Sequence, residues 1–324
     1  MTTPALYPLR LQPALKVKVW GGRKLETLLH KTLPTDEPYG EAWEMHDSAA
    51  VINGHLAGKT VGEVLAAYGT DLVGMGNDPA DGMPLLAKFL DAQDWLSVQV
   101  HPNDAQAAEL EGDPRGKTEA WYIIAAEPGA KLVAGIRPGT TQAAMAEAIR
   151  AGTLEDLLIY LEVQPGDVLL NNAGAVHALG PGIVIYEIQQ SSDVTYRLYD
   201  WNRLDLDGKP RQLHIEKGVR VSALDRLPEL TRAQDDDTPV RRLVASPYFH
   251  TFEHRLRPEM PESHISTNGS FQILSLLSGT VRLQAGQESI DLTTGETALI
   301  PACLPAFTLH ASEPARLLRS YQPR

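Results

Sequence analysis

Residues 162 to 179 read EVQPGDVLLNNAGAVHAL, and residues 291 to 308 read DLTTGETALIPACLPAFT. Laid side by side without a gap, Gly166 meets Gly295, Asp167 meets Glu296 and Ala173 meets Ala302. Each copy is a glycine and an acid followed by an apolar run, the pattern of a turn that feeds a strand. Two such copies in one chain predict two related β units. His177 falls opposite Ala306, so the second copy keeps the strand pattern and lacks the histidine.

Outward from these copies, most of the chain alternates between short apolar runs and Gly, Pro, Asn and Asp, as β-sandwiches and barrels do. Strands are predicted at 131–136, 167–170, 183–189, 271–277 and 280–284. Helical spacing is confined to 60–68, 104–110 and 141–151, the last with Thr140 as N-cap and Gly152 as stop. The repeated G-[DE]-x-x-x-x-x-A turn resembles the second motif of the cupin double-stranded β-helix. That resemblance implies a mainly β fold of two cupin-like jelly-roll barrels with small helical insertions. After Arg226, LPELTRAQDDDTPV brings two prolines and three consecutive acids, and strand patterning resumes at Val240. This reads as a linker, dividing residues 1–230, which carry the candidate metal ligands, from a C-terminal unit 231–324 without them.

Composition narrows the function classes. With 29 Lys and Arg against 41 Asp and Glu, the net charge is −12, and no basic run offers a face for nucleic acid. The single cysteine, Cys303, cannot form an intramolecular disulfide. The first 20 residues lack the apolar stretch of a signal peptide or spanning helix, so no membrane partner and a cytoplasmic location are expected.

The chemistry concentrates in three segments. In WLSVQVHPND, residues 95 to 104, a strand would turn Leu96, Val98 and Val100 to one side and Ser97, Gln99 and His101 to the other. In GKTEAWYII the same period aligns Lys117, Glu119 and Trp121. Imidazole and carboxylate suit a divalent transition ion where thiolates are lacking, so His101, Glu119 and His177 form a candidate ligand set, with Gln99 a weaker fourth. Each of these residues also has an ordinary structural reading, as a strand end, an edge carboxylate or a core histidine. The third segment, YEIQQSSDVTYRLYDWNR at 186–203, turns Glu187 and Gln189 to one face, then Asp193, Thr195 and Arg197 in step. A polar cavity accounts for that face better than core packing does.

Together VQVHPND, GKTEAWYII, GAVHAL and EIQQSSDVTYRLYDW resemble the signature segments of type I phosphomannose isomerases in their short bacterial form, in matching order and spacing. KVWGGRKL and YGEAWEM are similar to that family's opening segments, and the resemblance covers residues 16–203. It departs in GEAWEMHD, where the family more usually has a Ser soon after Trp-Glu. The resemblance implies a metal-dependent isomerase that interconverts mannose 6-phosphate and fructose 6-phosphate. It further implies one zinc ion per chain on Gln99, His101, Glu119 and His177, Arg197 as catalytic arginine, and Lys117, Glu187 and Asp193 in the pocket.

Such an isomerisation moves a proton from C2 to C1 through an enediol, whose charge a metal and a guanidinium can stabilise. Lys117 is assigned an acid/base role beside Arg197, with metal-bound water and a phosphate grip by Lys117 as alternatives. No GxxxxGKS loop is present, and GGRKL at 21–25 reads as a turn, which leaves the phosphate site unassigned. Two other classes share parts of the pattern: a cupin oxygenase, against which Lys117 and Arg197 argue, and a sugar-binding regulator on a degenerate scaffold, against which the complete ligand set argues.

Overall fold

The computed structural model describes residues 4–324, and its strands form four sheets, two of seven strands, one of five and one of four. One seven-stranded sheet runs Glu229–Thr231, Val168–Asn171, Glu119–Ala126, Ile183–Gln190, Leu85–Ala92, Tyr39–Met45, Ala14–Gly22. It faces the five-stranded sheet Tyr196–Tyr199, Val98–Val100, His177–Ala178, Lys131–Ile136, Leu158–Glu162 across a core that includes Trp121, Ile123, Leu132 and Ile185. The other seven-stranded sheet runs Val240–Ala245, His250–Leu256, Ala315–Tyr321, Gln272–Ser278, Thr297–Ile300, Leu9–Gln12, Ala50–Val51. Opposite it lies the four-stranded sheet Ser263–Ser266, Ala306–Ala311, Thr280–Ala285, Glu288–Thr293, around Leu274, Leu283, Phe307 and Leu317.

The predicted mainly β class holds, with one difference from the expected barrels: the sheets are not closed. Interdigitated side chains keep facing sheets about 10 Å apart in such layers, too far for a hydrogen-bonded ladder to join their edges. The repeated turn is explained by geometry. Gly166 and Gly295 both have positive φ, 89° and 83°, where a Cβ is strained. The acid that follows closes the turn: Asp167 accepts from the N–H of Gln164 at 3.1 Å, and Glu296 from that of Thr293 at 2.8 Å.

Two local expectations shift. The start of the predicted linker is a strand, Glu229–Thr231, that pairs with Val168–Asn171, and Arg232 and Ala233 both bond to the buried Asp167. A charged segment thus joins the sheet because one buried carboxylate needs its donors. The helix Gln142–Ala151 is capped by Thr141, whose Oγ1 accepts from Ala144 N, one residue later than expected. Helices Val61–Tyr68 and Asp104–Glu111 each begin with a capping box, Thr60 with Glu63 and Asn103 with Gln106. Among the described residues no helix is long and apolar enough to cross a membrane.

Candidate metal centre

Both sheets of the first pair contribute to one point. The register sets His177 beside Gln99 in the five-stranded sheet, and Gln189 beside Glu119 in the seven-stranded one. His101, just past the strand Val98–Val100, completes a buried trio with Glu119 and His177 whose ligand atoms lie within 4.8 Å of one another. The Nδ1–H of His101 donates to Val194 O at 2.8 Å, and that of His177 to Ala175 O at 2.9 Å. Both rings therefore turn Nε2 inward, as a ligand must. His101 Nε2 is 3.5 Å from one Glu119 oxygen, and His177 Nε2 is 3.1 Å from the other. Donors at 2.0–2.1 Å around a tetrahedral ion are spaced by about 3.3 Å, so the set fits a divalent ion.

One orphaned atom points the same way. His101 Nε2 is buried without a hydrogen bond from the protein, which a folded protein rarely leaves unexplained. Burial, reinforced by Lys117, drives the His101 imidazole well below its usual pKa and keeps it neutral. Burial alone would raise the Glu119 carboxyl, but the Lys117 ammonium above all outweighs it and holds it well below the carboxylate range. The Gln99 amide stands 3.3 Å from His177 Nε2, where a half-turn would offer its oxygen.

Above the trio opens a polar pocket of about 280 Å³. Gln99, Lys117, Glu187, Asp193 and Arg197 all line it, so the structure brings the predicted pocket residues together, with Asp193 exposed at the rim. Lys117 Nζ is 2.8 Å from Glu119 Oε2, and Glu187 is buried between Trp121 Nε1, which donates to it at 2.9 Å, and Lys88 Nζ at 3.2 Å. GGRKL is not the expected turn but the end of the strand Ala14–Gly22 and the start of the helix Lys24–Leu29, with Arg23 bonded to Glu26 and Lys24 to Glu127.

Lys88, Glu41, Trp43, Lys18 and Arg211 also line the pocket and were not anticipated. Burial disfavours the Lys88 ammonium, but Glu187 and Glu41 outweigh it and hold the amine charged. The available signal was a lysine in the middle of the apolar run LLAKFLDA, the fully buried strand Leu85–Ala92. A charge there is tolerated only with a partner, which the sequence alone does not name.

Residues 8–122 match the family model for the catalytic domain of phosphomannose isomerase type I, and residues 240–322 match that for the mannose-6-phosphate isomerase cupin domain. A mannose-6-phosphate isomerase of Streptococcus mutans is 36% identical, over 93% of this chain and 94% of its own. One from Bacillus subtilis is 35% identical over 95% of this chain and 96% of its own. A crystal structure of a Bacillus subtilis mannose 6-phosphate isomerase superposes with a TM-score of 0.85 at 31% identity, covering 97% of this chain and 99% of that one.

Proposed function

This chain belongs to the phosphomannose isomerase type I family and is an isomerase acting on a sugar phosphate; we propose that it interconverts mannose 6-phosphate and fructose 6-phosphate in the pocket above His101, Glu119 and His177. The observation that carries this reading is the convergence of two inward imidazole Nε2 atoms and one buried carboxylate at the floor of a cation-rich polar pocket. We assign these three residues and Gln99 as ligands of one zinc ion per chain, because two imidazoles, a carboxylate and an amide without thiolate suit that ion. Bound there, the ion would supply positive charge beside the sugar's C1 and C2 oxygens.

The chain's own residues supply the rest. Lys117 stands between the centre and the pocket, where its side chain, starting as the neutral amine, can take the C2 proton and return it at C1. Lys18, Lys88, Lys117 and Arg211 each have a carboxylate partner, whereas Arg197 has none among the described residues. Its Nη1 donates to Gln212 O at 2.9 Å, which orients the guanidinium and leaves its charge for the enediolate oxygens. Glu187, fixed by Trp121 and Lys88, and Asp193 at the rim are assigned to the sugar hydroxyls.

The sandwich halves fit the same reading. We take residues 1–230 and 231–324 as two open jelly-roll units, tied together by the strand Leu9–Gln12, which pairs with Thr297–Ile300 in the second. A coupled assay with mannose 6-phosphate tests the function: turnover should vanish on chelation and return with zinc. Full turnover by a protein verified to be metal-free would overturn it.

A further inference from the structure

The two large sheets share a register that allows their inner faces to be compared position by position. Asn171 pairs with Glu119 in the first sheet, and Ile300 with Gln272 in the second, the same offset as the repeated turns. Glu187 then corresponds to Arg319, because they lie opposite Trp121 and Leu274 respectively. Lys88, opposite Glu187, corresponds to Phe252, opposite Arg319. Where the first half sets two carboxylates and an ammonium, the second sets an amide, a guanidinium and an aromatic ring. The polar floor is retained and its charge is inverted.

Arg319 is 9% exposed and has no carboxylate partner among the described residues. Its Nε donates to His254 Nε2 at 3.2 Å, its Nη1 to Gln272 Oε1 at 2.9 Å, and its Cζ lies 4.8 Å from the Phe252 ring centre and 4.9 Å from that of Tyr321. A buried cation usually has a counter-charge close by. His254 is tied to this guanidinium. Since its Nε2 accepts from Arg319, Nδ1 holds the ring proton on the side turned away from it. His250 and Phe252 are half-buried beside them, and exposed Arg242 pairs opposite Phe252 on the edge strand.

We propose that this face of the C-terminal half is an anion site, in which the Arg319 guanidinium takes the oxyanion head group of a small metabolite, phosphate or carboxylate, with Arg242 at its rim and the His254 ring, bonded to Arg319, as its neighbour. Nothing here depends on the metal centre, which lies in the other sandwich. Charge-assisted hydrogen bonds from two guanidiniums support an affinity of about 1–10 mM for a bare oxyanion.

The test uses the full chain labelled with 15N-histidine, with the His254 signals assigned from His254→Gln, and titrated with inorganic phosphate or with acetate at constant ionic strength. The His254 signals should move saturably with one of the two anions, and the lower midpoint identifies the head group. The movement should disappear in Arg319→Met, which keeps an unbranched side chain over the rings, and Arg242→Gln should raise the midpoint several-fold. His254 signals that stay fixed with both anions, or that move equally in Arg319→Met, overturn the site. If Arg319→Met does not fold, an unchanged midpoint in Arg242→Gln overturns it instead.

Discussion

Arg197 has no atom that can coordinate a cation, yet it lines the pocket over the ligand trio. Arg197→Ala should therefore keep its metal while kcat falls about 10²- to 10³-fold, the usual cost of one preorganised stabiliser of transition-state charge. Arg197→Lys should recover only part, since an ammonium loses the planar fork. A normal kcat with a raised KM would instead assign Arg197 to uniform substrate binding. The ligand residues should behave in the opposite way. Metal analysis of His101→Ala, Glu119→Ala and His177→Ala should find the wild-type content of about one ion per chain lost, and unchanged content in all three would sink the assignment. His254 makes a different prediction. Burial, and then Arg319, pushes its imidazole down to about 4. Below about pH 6.5 the unfolded chain takes up a proton that the folded one refuses until about 4, so stability drops as pH falls through that window, by up to about 3 kcal/mol. In His254→Gln, which keeps an acceptor for Arg319, denaturant unfolding should show a shallower loss between those pH values. The proposed trio was legible in part: a period of two set His101 with Gln99 and Glu119 with Lys117, whereas His177 stood alone in GAVHAL and meets them only through strand pairing with Gln99. Lys88 and Glu41 were not, because their meaning lies in neighbours on other strands, Glu187 and Lys18.

At the scale of an element, the repeated turn makes the sharpest claim. A Cβ on Gly295 would lie 1.8 Å from Leu29 O, whereas one on Gly286, also at positive φ, would meet nothing within 4 Å. Gly286→Ala should cost about 1 kcal/mol of left-handed strain, and Gly295→Ala more than about 3 kcal/mol, since a backbone atom must move. Urea unfolding of the pair separates conformation from collision, and equal losses would show that the turn beside Leu29 relaxes freely. The glycine and the acid of this turn were readable from the two copies. The reason for each, a positive φ and a carboxylate closing on the N–H three residues back, needed coordinates. The strand Glu229–Thr231 escaped notice for a related reason. Its charged surroundings read as a linker, and only its pairing with Val168–Asn171 makes it part of a sheet.

On the scale of the whole molecule, the two large sheets share a core in which Phe89, Val184 and Tyr186 meet Ile273, Leu299 and Leu318. Polar bonds fix its register: Tyr186 Oη is 3.1 Å from Ser320 Oγ, and the Tyr122 hydroxyl donates to Glu253 at 2.9 Å. The strand Ile183–Gln190 turns Tyr186 into this core and Glu187 into the pocket, so the C-terminal half covers the face of that sheet opposite the pocket. A chain ending at residue 230 would expose that apolar face, and it should accumulate as aggregate. Tyr186→Ala tests the same dependence within the full chain. Truncating a large buried aromatic should lower stability by about 3–5 kcal/mol, while metal content in the folded fraction stays near that of the wild type. Substitutions at Cys303 and His310, on the far sandwich, should leave kcat unchanged. A soluble 1–230 fragment with metal and full turnover would show that the second half is dispensable to the first, and loss of turnover in folded Cys303 or His310 variants would give that half a catalytic part.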